Sequence, residues 1–325
     1  MHEPLYRQAL RHSWDLVWQH KFLWIFGLFA ALWGQLGLMD LLCKIWFSGS
    51  DYTLYPHWLA WPKLWQSIWL NSPGLTLSGD VWLWFGYLLV LILGCVLFLL
   101  FVSVVSQGAI IKAAAHSAKT RMFFPSISQA WSAGIKHFWR LLLLNVLRKA
   151  VLILLAVAVG YGALNFVISE SLLGLLLFWL LFILAAVVGA VLSFLLIYAG
   201  SYVVVEDYKL GKAMAGAWKL FISHWLVSVE VGLIVLLLNI ALAAAVIFGF
   251  LILFLPTLVL WLISVWSNSY VLWVSGIMVG LTLFLLFVIF IGSMFTVYTT
   301  SVWTYLFVKM HKVGVKSRVM HWLGK

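Results

Sequence analysis

Charge is scarce in this chain. Of 325 residues only 9% are charged, with 20 Lys and Arg against 9 Asp and Glu, while 65% are hydrophobic. A soluble domain carries roughly a quarter charged residues and about half apolar ones, so a water-solvated globular fold is excluded and lipid is the expected solvent. Cysteine is limited to Cys43 and Cys95, too far apart in sequence for a metal clip or a disulfide framework. Proline occurs 6 times, and only Pro256 interrupts an apolar run. Catalytic signatures are missing too: there is no Gly-x-Ser-x-Gly, no Gly-x-x-x-x-Gly-Lys and no His-Glu-x-x-His. Neither an enzyme nor a cofactor is expected.

What the chain does contain is apolar runs, at 22–42, 81–111, 141–168, 172–205, 226–264 and 271–308, each meeting the ~20 residues that a hydrocarbon core requires. They predict an all-α polytopic membrane helix bundle of six spans, in one domain covering residues 1–325. Pro256 would end the fifth span or kink it. Arg7, Arg11 and Lys21 precede the first run as in a signal peptide, but no small-x-small cleavage pattern follows Leu32, so an uncleaved first span is expected.

The formal charge of +11 takes its meaning from position. Arg7, Arg11 and Lys21 precede span one; Lys112, Lys119, Arg121, Lys136 and Arg140 lie between spans two and three. Lys209, Lys212 and Lys219 lie between four and five, and Lys309, Lys312, Lys316, Arg318 and Lys325 follow six. The opposite side has only Lys44 and Lys63, with no basic residue in the turns near Glu170 and Asn268. The positive-inside rule then places both termini in the cytoplasm, and the basic residues point to anionic lipid headgroups rather than nucleic acid as partners. The outer loop holds Trp46, Tyr52, Tyr55, Trp58, Trp61, Trp65 and Trp69 and reads as an interfacial anchor, since indole rings favour the headgroup level.

A repeat emerges before the odd-numbered spans: Trp14 with His20, Trp131 with His137 and Trp218 with His224, each pair six residues apart. It divides the chain into units 1–118, 119–207 and 208–325, each predicted to be an interfacial amphipathic helix, an outward span and an overlong return span. In the third copy Leu210, Ala213, Met214, Ala217, Trp218, Phe221 and Trp225 form an apolar stripe, with Lys212, Lys219 and Ser223 facing away. Ile127, Ala130, Trp131, Gly134, Ile135 and Phe138 repeat it, opened by Ser126 and Gln129 as a capping box. The first copy uses Tyr6, Leu10, Trp14 and Val17. Metal binding or proton relay by the three histidines is the sharper alternative. An interfacial structural role is favoured, because no carboxylate or cysteine accompanies each copy.

Ionisable residues inside spans are the default pointer to function in a membrane protein. Arg148 and Lys149 in span three, with Glu230 in span five, form a candidate intramembrane charge pair; alternatively span three starts only near Ala150 and leaves the two cations among the headgroups. Glu206 and Asp207 close span four, with Lys209 and Lys212 as expected partners. Asp40 stands near the outer end of span one. Gly276 and Gly280, together with Ala185, Ala186, Gly189 and Ala190, predict close helix packing.

In Gly108-Ala-Ile-Ile-Lys112, Ala130-Trp131, Val203-Val-Val-Glu206 and Lys212-Ala-Met-Ala-Gly-Ala-Trp218-Lys-Leu220, the chain resembles the membrane domain of some glycerophosphodiester phosphodiesterases and the related stand-alone bacterial multi-pass proteins. The resemblance spans about residues 100 to 310. It implies a membrane fold in a bacterial cytoplasmic membrane. It does not imply phosphodiesterase activity, because that chemistry belongs to a separate soluble barrel of about 250 residues for which the chain has no room. Two functions remain: a non-catalytic membrane scaffold or accessory protein on the inner leaflet, and a carrier of a lipid or small amphiphile. The scaffold is favoured, because spans interrupted by Gly or Pro at matching places of the repeat units, as in many carriers, are not found.

Overall fold

The computed structural model describes residues 5–33, 79–119, 126–169 and 171–313. Regular structure among them is entirely helical: α1 Leu5–Gln19, α2 Leu23–Trp33, α3 Gly79–Lys119, α4 Ile127–Lys136, α5 Phe138–Ser169, α6 Leu172–Val205, α7 Leu210–Ser223, α8 Trp225–Ser267 and α9 Tyr270–Val313. Five of these hold stretches long and apolar enough to cross a membrane, namely Gly86–Lys119, Phe138–Asn165, Leu172–Val205, Trp225–Ser267 and Tyr270–His311. That is the makeup of a multi-pass membrane protein. Of the sixth expected span, α2 is the described part, and its 11 residues are too few to cross alone. The rest of that span, the aromatic loop from Trp46 to Trp69, Asp40, Cys43, Lys44, Lys63, Arg121, Glu170, Lys316, Arg318 and Lys325 lie outside the described residues.

Local chemistry sets the ends of the elements. Ser126 caps α4 by accepting from the Gln129 N–H at 3.3 Å, the forward half of the expected capping box, and Ser171 caps α6 through the Gly174 N–H at 3.1 Å. Between α8 and α9 the chain reverses at Asn268, whose φ of 51° and ψ of 36° are left-handed, a conformation that Asn tolerates better than most residues. Pro256 neither ends α8 nor splits it, since the helix runs on from Trp225 to Ser267. The ring costs one backbone hydrogen bond, which the packed hairpin around it tolerates.

α5 packs along α6 and α8 along α9, while α3 stands centrally against α2, α4, α5, α6 and α9. Burial is uneven. Buried residues concentrate in Val102–Ala115 of α3, Leu195–Val204 of α6, Val297–Met310 of α9 and the opening turns of α5 and α8. This is the end of the bundle that carries Lys119, Lys136, Arg140, Lys219 and Lys309, hereafter the basic end. Away from it, Leu, Ile, Val and Phe of the α5–α6 and α8–α9 hairpins project outward, from Ile153 to Val188 and from Ile240 to Phe290.

Lipid is as apolar as leucine, so helices in a membrane cohere through close approach of small residues. A Cβ added to Gly134 of α4 would collide with the backbone carbonyl of Val105 in α3, and one on Gly108 would stand 2.9 Å from the Gly134 Cα. Gly276 and Gly280 serve the α8–α9 contact as their spacing predicts: a Cβ on Gly276 would stand 3.1 Å from the Leu260 Cβ, and Gly280 faces Thr257.

The short helices α1, α4 and α7, which precede the Trp–His joints, all lie at the basic end. α7 buries Ala213, Ala217 and Leu220 and α4 buries Ala130 and Gly134, whereas Trp218, Trp225, Ile127 and Ile135 of the expected stripes are exposed. In α1 the buried face is Ala9, Ser13, Leu16 and Val17, while Trp14 is 54% exposed. The stripe read through Leu10 and Trp14 is therefore rotated. Close approach to α3 and α9 selects the small residues Ala9 and Ser13, which a purely hydrophobic pattern undervalues.

Candidate functional site

A cavity of about 500 Å³ opens between α2, α3, α5, α6, α8 and α9. In a chain this apolar its lining is unusually polar. Arg148 comes from α5, Gln107 from α3, Ser193 and Ser201 from α6, Asn239 from α8, and Thr296, Thr299, Thr300 and Thr304 from α9. The threonines follow helical spacing, so one face of α9 presents all four. Phe194, Phe295 and Trp303 supply an apolar part of the wall. No carboxylate lines it.

Most of these polar groups are already engaged. The Asn145 amide donates to Gln107 Oε1 at 2.7 Å. Thr296, Thr299 and Thr304 donate to carbonyls of their own helix at 2.8 to 2.9 Å, as hydroxyls in membrane helices commonly do. Asn239 donates its Nδ2–H to the Val235 carbonyl at 2.7 Å, which leaves its buried Oδ1 as an acceptor without a partner among the described residues. Arg148 forms no ion pair or hydrogen bond among the described residues, though it carries five N–H donors.

Arg148 and Glu230, expected to pair, sit on helices with different main neighbours. α5 has α6 and α3 as its main neighbours, whereas α8 has α9 and α7. Arg148 turns into the cavity and Glu230 is not among its lining residues. Lys149 is exposed.

A second polar constellation lies at the basic end, in the joint between α6 and α7. Asp207, at φ 54°, accepts from Lys136 Nζ at 2.5 Å, from Arg140 Nη1 at 2.6 Å and from His137 Nε2 at 3.1 Å. Arg140 also reaches the Asp207 and Tyr208 carbonyls at 3.4 Å. Lys136, then Arg140, then His137 hold the Asp207 carboxyl well below the usual carboxylate range. Glu206 pairs with Lys119 at 3.7 Å. The partners expected from sequence, Lys209 and Lys212, are displaced, because the positive φ turns the Asp207 side chain toward α4 and α5; Lys212 instead lies 4.3 Å from the centre of the Tyr208 ring.

His137 and His224 each occupy the joint between a short helix and the long helix after it, and His20 the joint between α1 and α2. His137 donates its backbone N–H to the Ala133 carbonyl, and its own carbonyl accepts from the Leu141 N–H at 3.0 Å. His224 does the same with Leu220 and Ser228, both at 3.1 Å, and His20 receives the Leu23 N–H at 3.0 Å. The rings reinforce two of the joints: Nδ1 of His137 lies 2.7 Å from the Ala133 carbonyl and Nδ1 of His224 lies 3.3 Å from that of Leu220. His20 stands edge-on to Phe22 at 6.0 Å, and burial lowers its pKa below the ordinary imidazole value. Of the paired tryptophans, Trp131 stacks on Phe26 at 5.9 Å, Trp14 meets Trp18 and Tyr298 edge-on, and Trp218 is 52% exposed.

Comparison with known protein families, curated proteins and solved structures finds no match. The site therefore rests on geometry alone. Sequence reasoning placed Arg148 inside a span but missed the companions that give it meaning. The signal was present: Thr296, Thr299, Thr300 and Thr304 interrupt an apolar helix on a single face.

Proposed function

We propose that the protein is a non-catalytic membrane protein that holds a lipid or small amphiphile in the cavity beside Arg148. The observation that carries this reading is a pocket with a cationic, hydroxyl-lined part and an aromatic part, which matches a molecule with a head and a tail. A volume of about 500 Å³ falls in the range of small-molecule sites. The scaffold reading gives that lining no task, so the ligand-holding reading takes precedence. The α1, α4 and α7 helices then lie at the cytoplasmic leaflet of a bacterial inner membrane, with both termini on that side and the basic end among anionic headgroups. Active-in-cytoplasm reporters after Lys325 and near Asn268 check this orientation, the first bright and the second dark. Lipidomics of protein taken directly from membranes into nanodiscs tests the ligand reading. Enrichment of one amphiphile over bulk lipid, abolished when Thr300→Phe fills the cavity, is expected. A bulk lipid profile in both proteins would return the protein to the scaffold class.

A further inference from the structure

The deeper question is which head the cavity selects. Arg148 offers a planar fork of five N–H donors with none spent on the described residues, the arrangement that suits carboxylate or phosphate oxygens. Ser193 and Thr300 also line the cavity, and their hydroxyls make no hydrogen bond among the described residues. Beside these donors stands one buried acceptor, Asn239 Oδ1. The set is a cation and hydroxyl donors for an anion, with an acceptor for a hydroxyl or N–H of the same molecule.

Depth selects further. Arg148 lies about 21 residues from Ser169 at the α5–α6 junction, and Ser193 about 21 from Leu172, so at 1.5 Å per residue both stand about 32 Å from that junction. Asn239 and Thr296 lie about 40 Å from the α8–α9 reversal by the same count. The outward-facing apolar stretches of both hairpins fill the intervening length, and a hydrocarbon core is about 30 Å thick. With the junctions at one membrane face, the cavity falls at the headgroup layer of the other.

Resting on the ligand-holding reading above, we propose that the cavity is an anion-selective site in which Arg148 binds the phosphate of an anionic phospholipid from the leaflet at the basic end, with Asn239 accepting from a headgroup hydroxyl. A phosphate group is the shared chemistry of a lipid head and free phosphate, and the lining recognises that group.

The test is retention by delipidated full-length protein of phosphatidylglycerol against diacylglycerol, which has the same tails without the phosphate, presented together in vesicles of equal proportions and read by mass spectrometry. About ten-fold preference for phosphatidylglycerol is expected, the discrimination from one bidentate charge-assisted contact. Arg148→Gln should bring the ratio to near one, Arg148→Lys should keep part of it, and Lys212→Gln with Lys219→Gln should leave it unchanged. Competition with inorganic phosphate separates the sources: displacement at millimolar levels identifies phosphate alone as sufficient, and resistance identifies an acyl-bearing ligand, either of them an anion at this site. Equal retention of both lipids by the wild type, or an unaltered preference in Arg148→Gln, overturns the proposal while leaving a lipid-holding cavity intact. Should Arg148→Gln fail to fold, the wild-type ratio and the Lys variant still decide. Retention of neither lipid overturns the ligand-holding reading as well.

Discussion

At the basic end, glycine, alanine and serine bring α1, α3, α4, α6 and α9 into contact and bury even hydroxyl-bearing side chains. At the far end the same long helices continue as hairpins whose leucines and isoleucines face outward. Both regions are apolar in composition, so hydrophobicity does not distinguish them. The difference teaches that side-chain volume and polar anchoring decide where this bundle is a solid core and where it is a surface for lipid.

The sharpest way to break that comparison is a matched pair of glycine substitutions. Gly134→Ala forces a Cβ against the Val105 carbonyl and should cost about 1–3 kcal/mol, seen as a drop of several degrees in the midpoint of heat-induced aggregation in detergent. Gly160→Ala meets nothing within 4 Å and should be neutral or stabilise by about 0.5–1 kcal/mol, since alanine is the better helix former. Equal losses in the two variants would erase the distinction between core and surface.

Next in size are the histidine joints. His137 is 4% exposed and engages both ring nitrogens, so His137→Phe should cost about 1–2 kcal/mol by stranding buried partners. His224 is half-buried, and its Nδ1 lies 2.8 Å from the exposed Ser223 hydroxyl and 3.3 Å from the Leu220 carbonyl, partners that water can replace, so His224→Phe should cost less than about 0.5 kcal/mol. Guanidinium unfolding followed by tryptophan fluorescence ranks them. The reverse order would mean that burial does not set the strength of the joint.

Tyr198→Phe follows. The Tyr198 hydroxyl and Ser228 Oγ lie 2.8 Å apart inside the core, so losing it should cost about 1 kcal/mol, whereas Tyr161→Phe on the 64% exposed far half should be silent in the same assay.

The smallest effect belongs to Asp207, an exposed carboxylate whose ion pairs water and salt screen. Because its carboxyl is held below the usual range, the stabilisation is complete above about pH 4, the ordinary carboxylate value, and is lost as pH falls toward the lowered one. Asp207→Asn should increase proteolysis in the α6–α7 joint at neutral pH. Its difference from wild type should shrink below about pH 4 and in high salt.

Much of the far half was legible from composition, because a long uninterrupted run of Leu, Val and Phe has one stable solution in lipid. The short helices were legible from the Trp and His spacing, although Trp14 pointed outward where hydrophobicity alone would bury it. The Asp207 cluster was not legible. It joins residues about 70 positions apart through one left-handed backbone angle, which nothing in the local pattern announces. The cavity was half legible: Arg148 stood out as a charge in a span, but its direction depends on which helices flank α5.

The joints at His137 and His224 bend the chain without interrupting its hydrogen-bond ladder, since N–H and carbonyl of each histidine are both engaged along the helix direction. Such a joint is a stiff elbow. A shift of α4 or α7 would therefore be handed on to α5 and α8, which carry Arg148 and Asn239.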